Sequence, residues 1–185
     1  MALLSSEQKV KVGQKAPDFS LPATDGKTVT LKSFPSAKAI LVVFGCNHCP
    51  YLQAKIGALN ELHAKFYTKG LQIIMINSND AAQYPEDDFE HMKKFVKDRG
   101  IRFSYVMDET QEVAKAYGAV CTPDPFLLKA NGTLAWHGRI DNAMSPEQTP
   151  TQFDMKEAIE SVLRGMSVDK PFLASMGCSI KWKKQ

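Results

Sequence analysis

The sequence of 185 residues lacks any apolar run of membrane-spanning length, which argues against a membrane protein. The N-terminal residues MALLSSEQKVKVG also lack a charged start followed by an apolar core, so we see no secretory signal. We therefore expect a cytoplasmic protein, in which stable structural disulfides are uncommon. The net charge of +3 is too small to indicate a nucleic-acid partner, and the basic KWKK near the C-terminus is interpreted as a solvated tail.

Internal repeats, low-complexity tracts and clear linkers are also missing, which favours a single domain over residues 1–185. Apolar residues make up 44% and charged residues 23% of the chain, the composition of a globular protein that can bury a core. Residues 166–185 show no clear period. Their apolar residues predict a C-terminal tail that packs on the body of the domain.

The hydrophobic pattern predicts an α/β protein with a central mixed sheet flanked by helices. Buried strands are expected at 38–45 and 71–77, because both are apolar runs of strand length without polar alternation. A third strand is expected at 102–108. Asn77 and Asn79 come at the end of the second strand, so they should lie at the same edge of the sheet as residues that follow the first strand.

Helical periods and turn signals supply the connections between these strands. Helical spacing or charge patterning predicts four helices, which lie between Pro50 and Gly70, over 86–99, over 109–117 and near 152–164. Two hairpins are expected, with turns at Asp25–Gly26 and Asn131–Gly132. The resulting order after residue 38 is β-α-β-α-β-α-β-β-α, in which helices cross over between parallel strands and the last strand pair needs only a tight turn.

The stretch FGCNHCP, residues 44–50, carries Cys46 and Cys49 at the point where a central strand gives way to a helix. A helix start offers unpaired N–H groups and the positive end of the dipole, and both favour a thiolate over a thiol. Three-residue spacing on a helical turn puts the Cβ atoms about 5–6 Å apart, and a small adjustment brings them within disulfide range. The pair can therefore open and close with little movement of the fold.

The residues around the two cysteines suggest how their roles divide. If Asn47 caps the helix, Pro50 lies in the first turn, where its missing N–H costs no hydrogen bond. On this assignment Cys46 lies outside the helix as the more exposed sulfur, so we assign Cys46 as the attacking nucleophile and Cys49 as the resolving thiol. A protonated His48 would lower the thiol pKa further and make the pair more oxidising than that of thioredoxin.

Other interpretations of the cysteine pair stay open beside the redox one. The cysteines could be small buried apolar residues, or the CxxC could serve an adaptor that binds partners without turnover. A structural zinc site would need two more ligands, and Cys121 and Cys178 do not form a second CxxC. Cu(I) could be held by Cys46, Cys49 and a histidine, as in a metal carrier. We favour redox chemistry and expect neither a metal nor a cofactor.

Several segments along the chain carry a family resemblance. These are VGQKAPDFSLPATDGKTVTL, FGCNHCP, AYGAVCTPDPFLL, GRID and GCSIKW. With them, nearly the whole chain resembles the thioredoxin-like superfamily, and more closely its redoxin or peroxiredoxin-like branch (alkyl hydroperoxide reductase–thiol-specific antioxidant). The resemblance implies a thioredoxin-like fold with an N-terminal β-hairpin extension, an inserted helix and a C-terminal tail. It implies a thiol–disulfide oxidoreductase, with a thiol-dependent peroxidase as the alternative.

The resemblance also assigns residues outside the CxxC. Thr122 and Pro123 match the cis-proline loop that faces the cysteine pair, where the backbone before the proline binds a peptide or mixed disulfide as a short strand. Cys121 would then lie close to the site, either as a small buried residue or as a second redox partner. Cys178 would be a third thiol if the tail folds back. The implied partners are a protein or small-molecule disulfide and a thiol reductant, and a homodimer stays open.

Two departures from the family patterns bear on function. Peroxiredoxins carry Pro-x-x-x-Thr-x-x-Cys, and Cys49 aligns with their peroxide-attacking cysteine, but here Cys46 replaces the threonine and Val42 replaces the proline. Thioredoxins place a buried aspartate six residues before the first cysteine, and here that position is Ile40. We therefore expect a partly missing peroxide pocket, and a proton route that uses His48 or water.

Overall fold

The computed structural model describes residues 2–184; Met1 and Gln185, the outermost residues of the predicted domain and tail, lie outside the described residues. The first strand, β1, covers Leu3–Ser5. It is followed by the predicted N-terminal hairpin, in which β2 (Leu21–Pro22) pairs antiparallel with β3 (Thr28–Val29). Gly26 has a φ of +83° in the connecting turn, a conformation that favours glycine.

The rest of the chain alternates strands and helices in nearly the predicted order. These elements are β4 (Ala39–Phe44), α1 (Pro50–Gln53), α2 (Ile56–Phe66), β5 (Leu71–Asn77), α3 (Phe89–Asp98), β6 (Ser104–Met107), α4 (Glu112–Tyr117), β7 (Cys121–Thr122), β8 (Asp124–Lys129), β9 (Leu134–His137), α5 (Asp154–Leu163) and β10 (Met176–Ser179). The predicted helix after Pro50 is thus divided in two, and the predicted helix over 86–99 begins only at Phe89.

Five strands form the central sheet, in the order β6-β5-β4-β8-β9. Strands β4, β5 and β6 are parallel, whereas β8 and β9 run antiparallel to their neighbours, so the sheet is mixed as predicted. All six residues of β4 are buried, because this strand lies in the middle of the sheet with side chains packed on both faces. Its carboxyl end leads directly into the segment that carries the cysteines.

A second sheet of three short strands lies beside the cysteines, in the order β1-β10-β7. Strand β10 pairs antiparallel with β1 on one side, where Cys178 faces Leu3, and with β7 on the other, where Cys178 faces Thr122. The C-terminal segment therefore packs on the body, as the sequence predicts for a tail, but through a strand that the sequence pattern does not indicate. Within residues 2–184, no helix combines the length and apolar composition needed to cross a membrane.

Candidate active site

The backbone around the cysteines differs from the predicted helix cap. Cys49, not Asn47, is the N-cap residue of α1, and Pro50 is the first helical residue. Cys49 is extended, with φ −76° and ψ 113°, because a following proline disfavours the helical conformation. The prediction that Asn47 caps the helix is therefore wrong. Proline at the first helical position still sacrifices no hydrogen bond, since the N–H there would have no intrahelical partner.

Both cysteine side chains are buried, with exposed fractions of 1% for Cys46 and 0% for Cys49. Neither sulfur is therefore open to solvent, which contradicts the exposed position expected for Cys46 but does not rank the two. Both residues belong to one packed cluster that also contains Cys178 of β10, and β10 contacts α1. Burial of the site thus depends partly on the C-terminal segment, whose position the sequence left open.

The loop between β7 and β8 faces the cysteines as the resemblance implies. The Thr122–Pro123 peptide bond is cis. The Thr122 hydroxyl lies 3.6 Å from the Cys46 sulfur, and the Thr122 carbonyl oxygen lies 3.1 Å from the Cys49 sulfur. One residue from a distant part of the chain therefore touches both sulfurs.

Asp87 is a residue of this site that the sequence analysis missed. It is fully buried, and its Oδ1 accepts hydrogen bonds from the backbone N–H groups of Asn47 (2.8 Å) and His48 (3.2 Å). Its Oδ2 accepts from the Nδ1 of His48 (2.5 Å) and the Nδ2 of Asn79 (2.7 Å). The carboxylate thus holds the two residues between the cysteines in place, and it confirms that the end of β5 meets the cysteine pair at one edge of the sheet.

Asn47 positions the loop through side-chain hydrogen bonds, although it caps no helix. Its Nδ2 donates to the backbone oxygen of Glu86 (2.8 Å), and its Oδ1 accepts from the hydroxyl of the fully buried Tyr105 (2.9 Å). Its backbone oxygen accepts from the Nε2 of Gln53 (2.6 Å). These bonds join the loop to β6, to α1 and to the turn before α3, so its geometry is set by three separate segments.

The pKa values of the two thiols are shifted in opposite directions, and that of Cys49 is lowered. A hydrogen bond with Cys46 lowers the pKa of Cys49 to about 5, with further lowering by the Thr122 side chain, the Leu52 backbone and the Cys178 thiol. Burial raises this pKa, and the Thr122 carbonyl oxygen also disfavours a thiolate because it can only accept hydrogen bonds. The four donors outweigh burial, so the negative charge falls on Cys49 rather than on Cys46.

Cys46 is held as a neutral thiol. Its hydrogen bond with Cys49, its burial and the nearby charge of Asp87 raise its pKa well above the ordinary value, whereas the Thr122 side chain lowers it. The roles predicted from the sequence, with Cys46 ionised and attacking, therefore conflict with this electrostatic arrangement. The main physical reasons are the hydrogen bond between the two sulfurs and the burial of Cys46, to which the nearby carboxylate of Asp87 adds.

His48 does not have its predicted role, because its ring is paired with the carboxylate of Asp87. Its hydrogen bond to Asp87 raises its pKa, and its ring stacks on Tyr84 with centroids 5.5 Å apart. The charge that a protonated His48 would bring is thus paired with a carboxylate, and it is this carboxylate that acts on Cys46. The predicted lowering of the thiol pKa by His48 finds no support in this arrangement.

The two remaining cysteines occupy opposite faces of the small sheet. Cys178 faces Thr122, and its thiol interacts with that of Cys49. Cys121 faces Ser179, one residue along the same pairing, so its side chain lies on the other face. Burial raises the pKa of Cys121 above the ordinary value, which suits a small buried residue. The structure therefore brings Cys178, rather than Cys121, to the CxxC.

Three potential metal ligands come together at the site. A sulfur of Cys46, a ring nitrogen of His48 and a carboxylate oxygen of Asp87 lie within 4.8 Å of one another. Sulfur, nitrogen and oxygen together suit a borderline cation such as Zn²⁺. The Asp87 oxygens already accept four hydrogen bonds, so an ion bound there would have to replace some of them.

Comparison with known proteins agrees with this architecture. A curated relative, the thiol-disulfide oxidoreductase ResA of Bacillus cereus, is 29% identical over 150 residues, which cover 81% of this chain and 79% of the relative. The crystal structure of an uncharacterized conserved protein from Geobacillus kaustophilus has 38% identity and a TM-score of 0.94, and the match covers 100% of this chain and 98% of that one.

A more distant structure and the family match fix the classification. The thioredoxin domain of a thiol-disulfide oxidoreductase from Bacteroides vulgatus has a TM-score of 0.59 at 21% identity, covering 68% of this chain and 86% of that one. This likeness confirms the thioredoxin-like fold predicted from the sequence. The sequence model of the AhpC/TSA family matches residues 12–137, which is more than half of the chain. The chain therefore belongs to the AhpC/TSA family, as its resemblance to the redoxin branch implies.

Proposed function

We propose that the chain is a thiol–disulfide oxidoreductase that exchanges electrons through Cys46 and Cys49. The observation that carries the proposal is the contact of both sulfurs with Thr122 of the cis-proline loop, together with the opposite electrostatics of the two thiols. An ionised sulfur beside a neutral thiol is what thiol–disulfide exchange requires, because the first attacks and the second resolves. The name of the Bacillus cereus relative supports the same activity.

In the proposed cycle the Cys49 thiolate attacks one sulfur of a substrate disulfide. The substrate S–S bond breaks, one substrate thiolate leaves, and a mixed disulfide forms between Cys49 and the other substrate sulfur. Cys46 then loses its proton and attacks the Cys49 sulfur, which releases the second substrate thiolate and forms the Cys46–Cys49 disulfide. An external thiol reductant restores the dithiol, and run backwards the same steps oxidise a substrate dithiol.

Asp87 is the proposed acceptor for the proton that Cys46 must lose. Its carboxylate and the His48 ring lie within 4.8 Å of the Cys46 sulfur, whereas the thioredoxin position for a buried aspartate holds Ile40. While Cys49 is ionised, Cys46 keeps its proton in the hydrogen bond between the two sulfurs. The mixed disulfide removes that negative charge, so proton transfer from Cys46 to the carboxylate becomes easier at the step that needs it.

A thiol-dependent peroxidase is the second candidate, favoured by the ionisation of Cys49. This cysteine aligns with the peroxide-attacking cysteine of peroxiredoxins, and its pKa is lowered to about 5. In that reaction the thiolate takes one oxygen from a hydroperoxide and becomes a sulfenic acid, while the peroxide leaves as an alcohol or water. A neighbouring thiol then forms a disulfide with Cys49 and releases water.

Parallel assays of the two reactions test the proposal. The protein should reduce a model disulfide such as that of insulin with a thiol reductant present, and this turnover should exceed its consumption of hydrogen peroxide or cumene hydroperoxide. Cys49→Ser should abolish disulfide reduction. Faster peroxide turnover than disulfide turnover would replace the oxidoreductase by the peroxidase, and inactivity toward both substrates in the wild type would contradict the proposed function. A cytoplasmic location and a homodimer stay predictions from the sequence.

A further inference from the structure

Strand β10 fills the position beside the site that the resemblance reserves for a bound peptide. Its pairing with β7 sets Cys178 opposite Thr122 and Ser179 opposite Cys121. The backbone N–H of Ile180 continues this pairing with a hydrogen bond to the oxygen of Val120 (2.9 Å). Residues 176–180 therefore lie as an added strand along the residue that precedes the cis proline.

The packing of β10 against this loop is tight at Gly177. A Cβ atom built on this glycine would collide with the backbone carbonyl of Thr122. That carbonyl oxygen is the one that lies 3.1 Å from the Cys49 sulfur. Strand β10 thus packs against the Thr122 carbonyl, the same group that contacts Cys49. Only glycine, which has no side chain, permits this close approach.

The register then directs the Cys178 side chain toward the cysteine pair. Side chains of directly opposite residues in an antiparallel pair lie on the same face. The Thr122 hydroxyl touches the Cys46 sulfur at 3.6 Å, so the face that Cys178 shares with Thr122 is the face of the CxxC. The Cys178 thiol interacts with the Cys49 sulfur, and Cys46, Cys49 and Cys178 are buried in one cluster.

Burial and the neighbouring Cys49 thiolate keep Cys178 protonated before the reaction. Burial, the hydrogen bond to Cys49 and its negative charge raise the pKa of Cys178 to about 12, while Lys181 and the Tyr51 backbone lower it. When Cys49 enters a disulfide, its charge disappears, but Lys181 and the Tyr51 N–H remain. Cys178 therefore becomes a better nucleophile at the moment when a disulfide sulfur forms beside it.

We propose that Cys178 is a third redox-active residue, which β10 presents to Cys49 in place of a substrate cysteine so that a Cys49–Cys178 disulfide can form. In this step the Cys178 sulfur attacks Cys49 in its mixed disulfide with a small substrate. The Cys49–substrate bond breaks, the Cys49–Cys178 bond forms, and the Cys178 proton goes to the departing substrate sulfur. Cys49 is thus flanked by two resolving thiols, Cys46 and Cys178. This inference rests on the proposed function, which supplies the substrate disulfide.

The test removes Cys46 and asks whether Cys178 takes over. The Cys46→Ser variant is oxidised with glutathione disulfide under native conditions, free thiols are blocked, and the disulfides are mapped by mass spectrometry. We expect a Cys49–Cys178 bond, and glutathione retained on Cys49 at least about tenfold below the level in Cys46→Ser/Cys178→Ser, because the internal thiol acts at high effective concentration. Cys46→Ser/Cys121→Ser is the matched control, since Cys121 lies on the opposite face, and it should match Cys46→Ser.

Each other result of this experiment has a defined meaning. Equal retention of glutathione with and without Cys178 would overturn the role of Cys178 and leave the proposed function intact. Unmodified Cys49 in Cys46→Ser would count against both. If the wild type forms its Cys46–Cys49 bond and turns over substrate, but neither it nor Cys46→Ser yields any Cys49–Cys178 bond, only the further inference fails.

A second variant tests the packing of β10 against the Thr122 carbonyl and leaves every cysteine in place. Gly177→Ala should push β10 away from the Thr122 carbonyl and increase the rate at which iodoacetamide labels Cys49 and Cys178. Gly57→Ala is the matched control, because this glycine is in α2 and no atom outside its own stretch of helix lies within 4 Å of the added Cβ. Labelling rates that are equal in the two variants would show that β10 does not cover the cysteines.

Discussion

Cys46 and Cys49 are only three positions apart in the sequence, but their side chains lie in different electrostatic environments. Cys46 lies near the buried carboxylate of Asp87, which disfavours a negative charge on its sulfur. Cys49 lies at the start of α1, where the Leu52 backbone, the Thr122 side chain and two thiols favour the charge. The hydrogen bond between the two sulfurs has the largest influence on both, and distant residues such as Asp87 and Thr122 add to it. The order of the two cysteines in the motif therefore does not by itself decide which one ionises.

The largest expected effect comes from removing the Cys49 sulfur. At pH 6, Cys49→Ser should reduce the rate of iodoacetamide labelling at the CxxC by about ten- to a hundredfold, because the remaining thiol is neutral there and only thiolates react. Cys46→Ser should keep most of this reactivity. Site-resolved mass spectrometry measures both rates. A larger loss in Cys46→Ser than in Cys49→Ser would restore the roles predicted from the sequence.

The pH dependence of labelling separates the two environments in the wild type. Since the pKa of Cys49 is lowered from 9.0 to about 5, its thiolate should persist through neutral pH, and its labelling rate should fall to half only near pH 5. The same shift stabilises the folded state above the pKa of the unfolded thiol, and this contribution is lost as pH falls through about 5. A midpoint between pH 8 and 9 at Cys49 would contradict the comparison.

The Asp87→Asn variant tests how the Asp87 carboxylate affects the stability of the site and the pKa of Cys46. The amide cannot accept hydrogen bonds at both positions, so we expect a loss of about 1–3 kcal/mol in the free energy of unfolding. Removal of the charge should also lower the pKa of Cys46, so that its labelling begins at lower pH. Asp88→Asn is the matched control: Asp88 caps α3 by accepting from the His91 N–H, and asparagine caps equally well. Equal denaturation midpoints for the two variants would remove Asp87 from its positioning role.

The smallest expected effect belongs to Thr122→Val. The Thr122 side chain lowers the pKa of both thiols, so its loss should raise the labelling midpoint of Cys49 by less than about one pH unit. Thr122→Ser should behave as the wild type, since it keeps the hydroxyl. An unchanged midpoint in Thr122→Val would show that this loop affects the ionisation of Cys49 only through its backbone.

Much of the fold could be predicted because its strongest signals are local. Strands β4 and β5 are apolar runs buried on both faces, and Asn131–Gly132 marks the turn between β8 and β9, where Gly132 has a φ of +77°. The Cys46–Cys49 pair and the cis Thr122–Pro123 bond came from the motif and from the resemblance. In each case the residues that carry the signal lie within a few positions of one another.

The missed features depend on contacts between distant segments. Strand β10 has no alternating pattern, and its partners are β1 and β7, so Leu3 faces Cys178 from the other end of the chain. The sequence YPEDD reads as the acidic start of a helix, and nothing in it marks Asp87 as buried. The roles of the two sulfurs depend on their mutual hydrogen bond, on burial and on Asp87, and the last two are set by segments that the motif does not contain.

The burial of the cysteines also limits the rate at which they can react with molecules in solution. With exposed fractions of 1% and 0%, the sulfurs can meet an outside molecule only during a local opening of the protein. Labelling should then reach a plateau as the reagent concentration increases, at a value equal to the opening rate. Below that plateau the labelling rate still scales with the fraction of thiolate, so the pH midpoints above are read at low reagent concentration. At the plateau the thiols instead report how often the C-terminal strand departs.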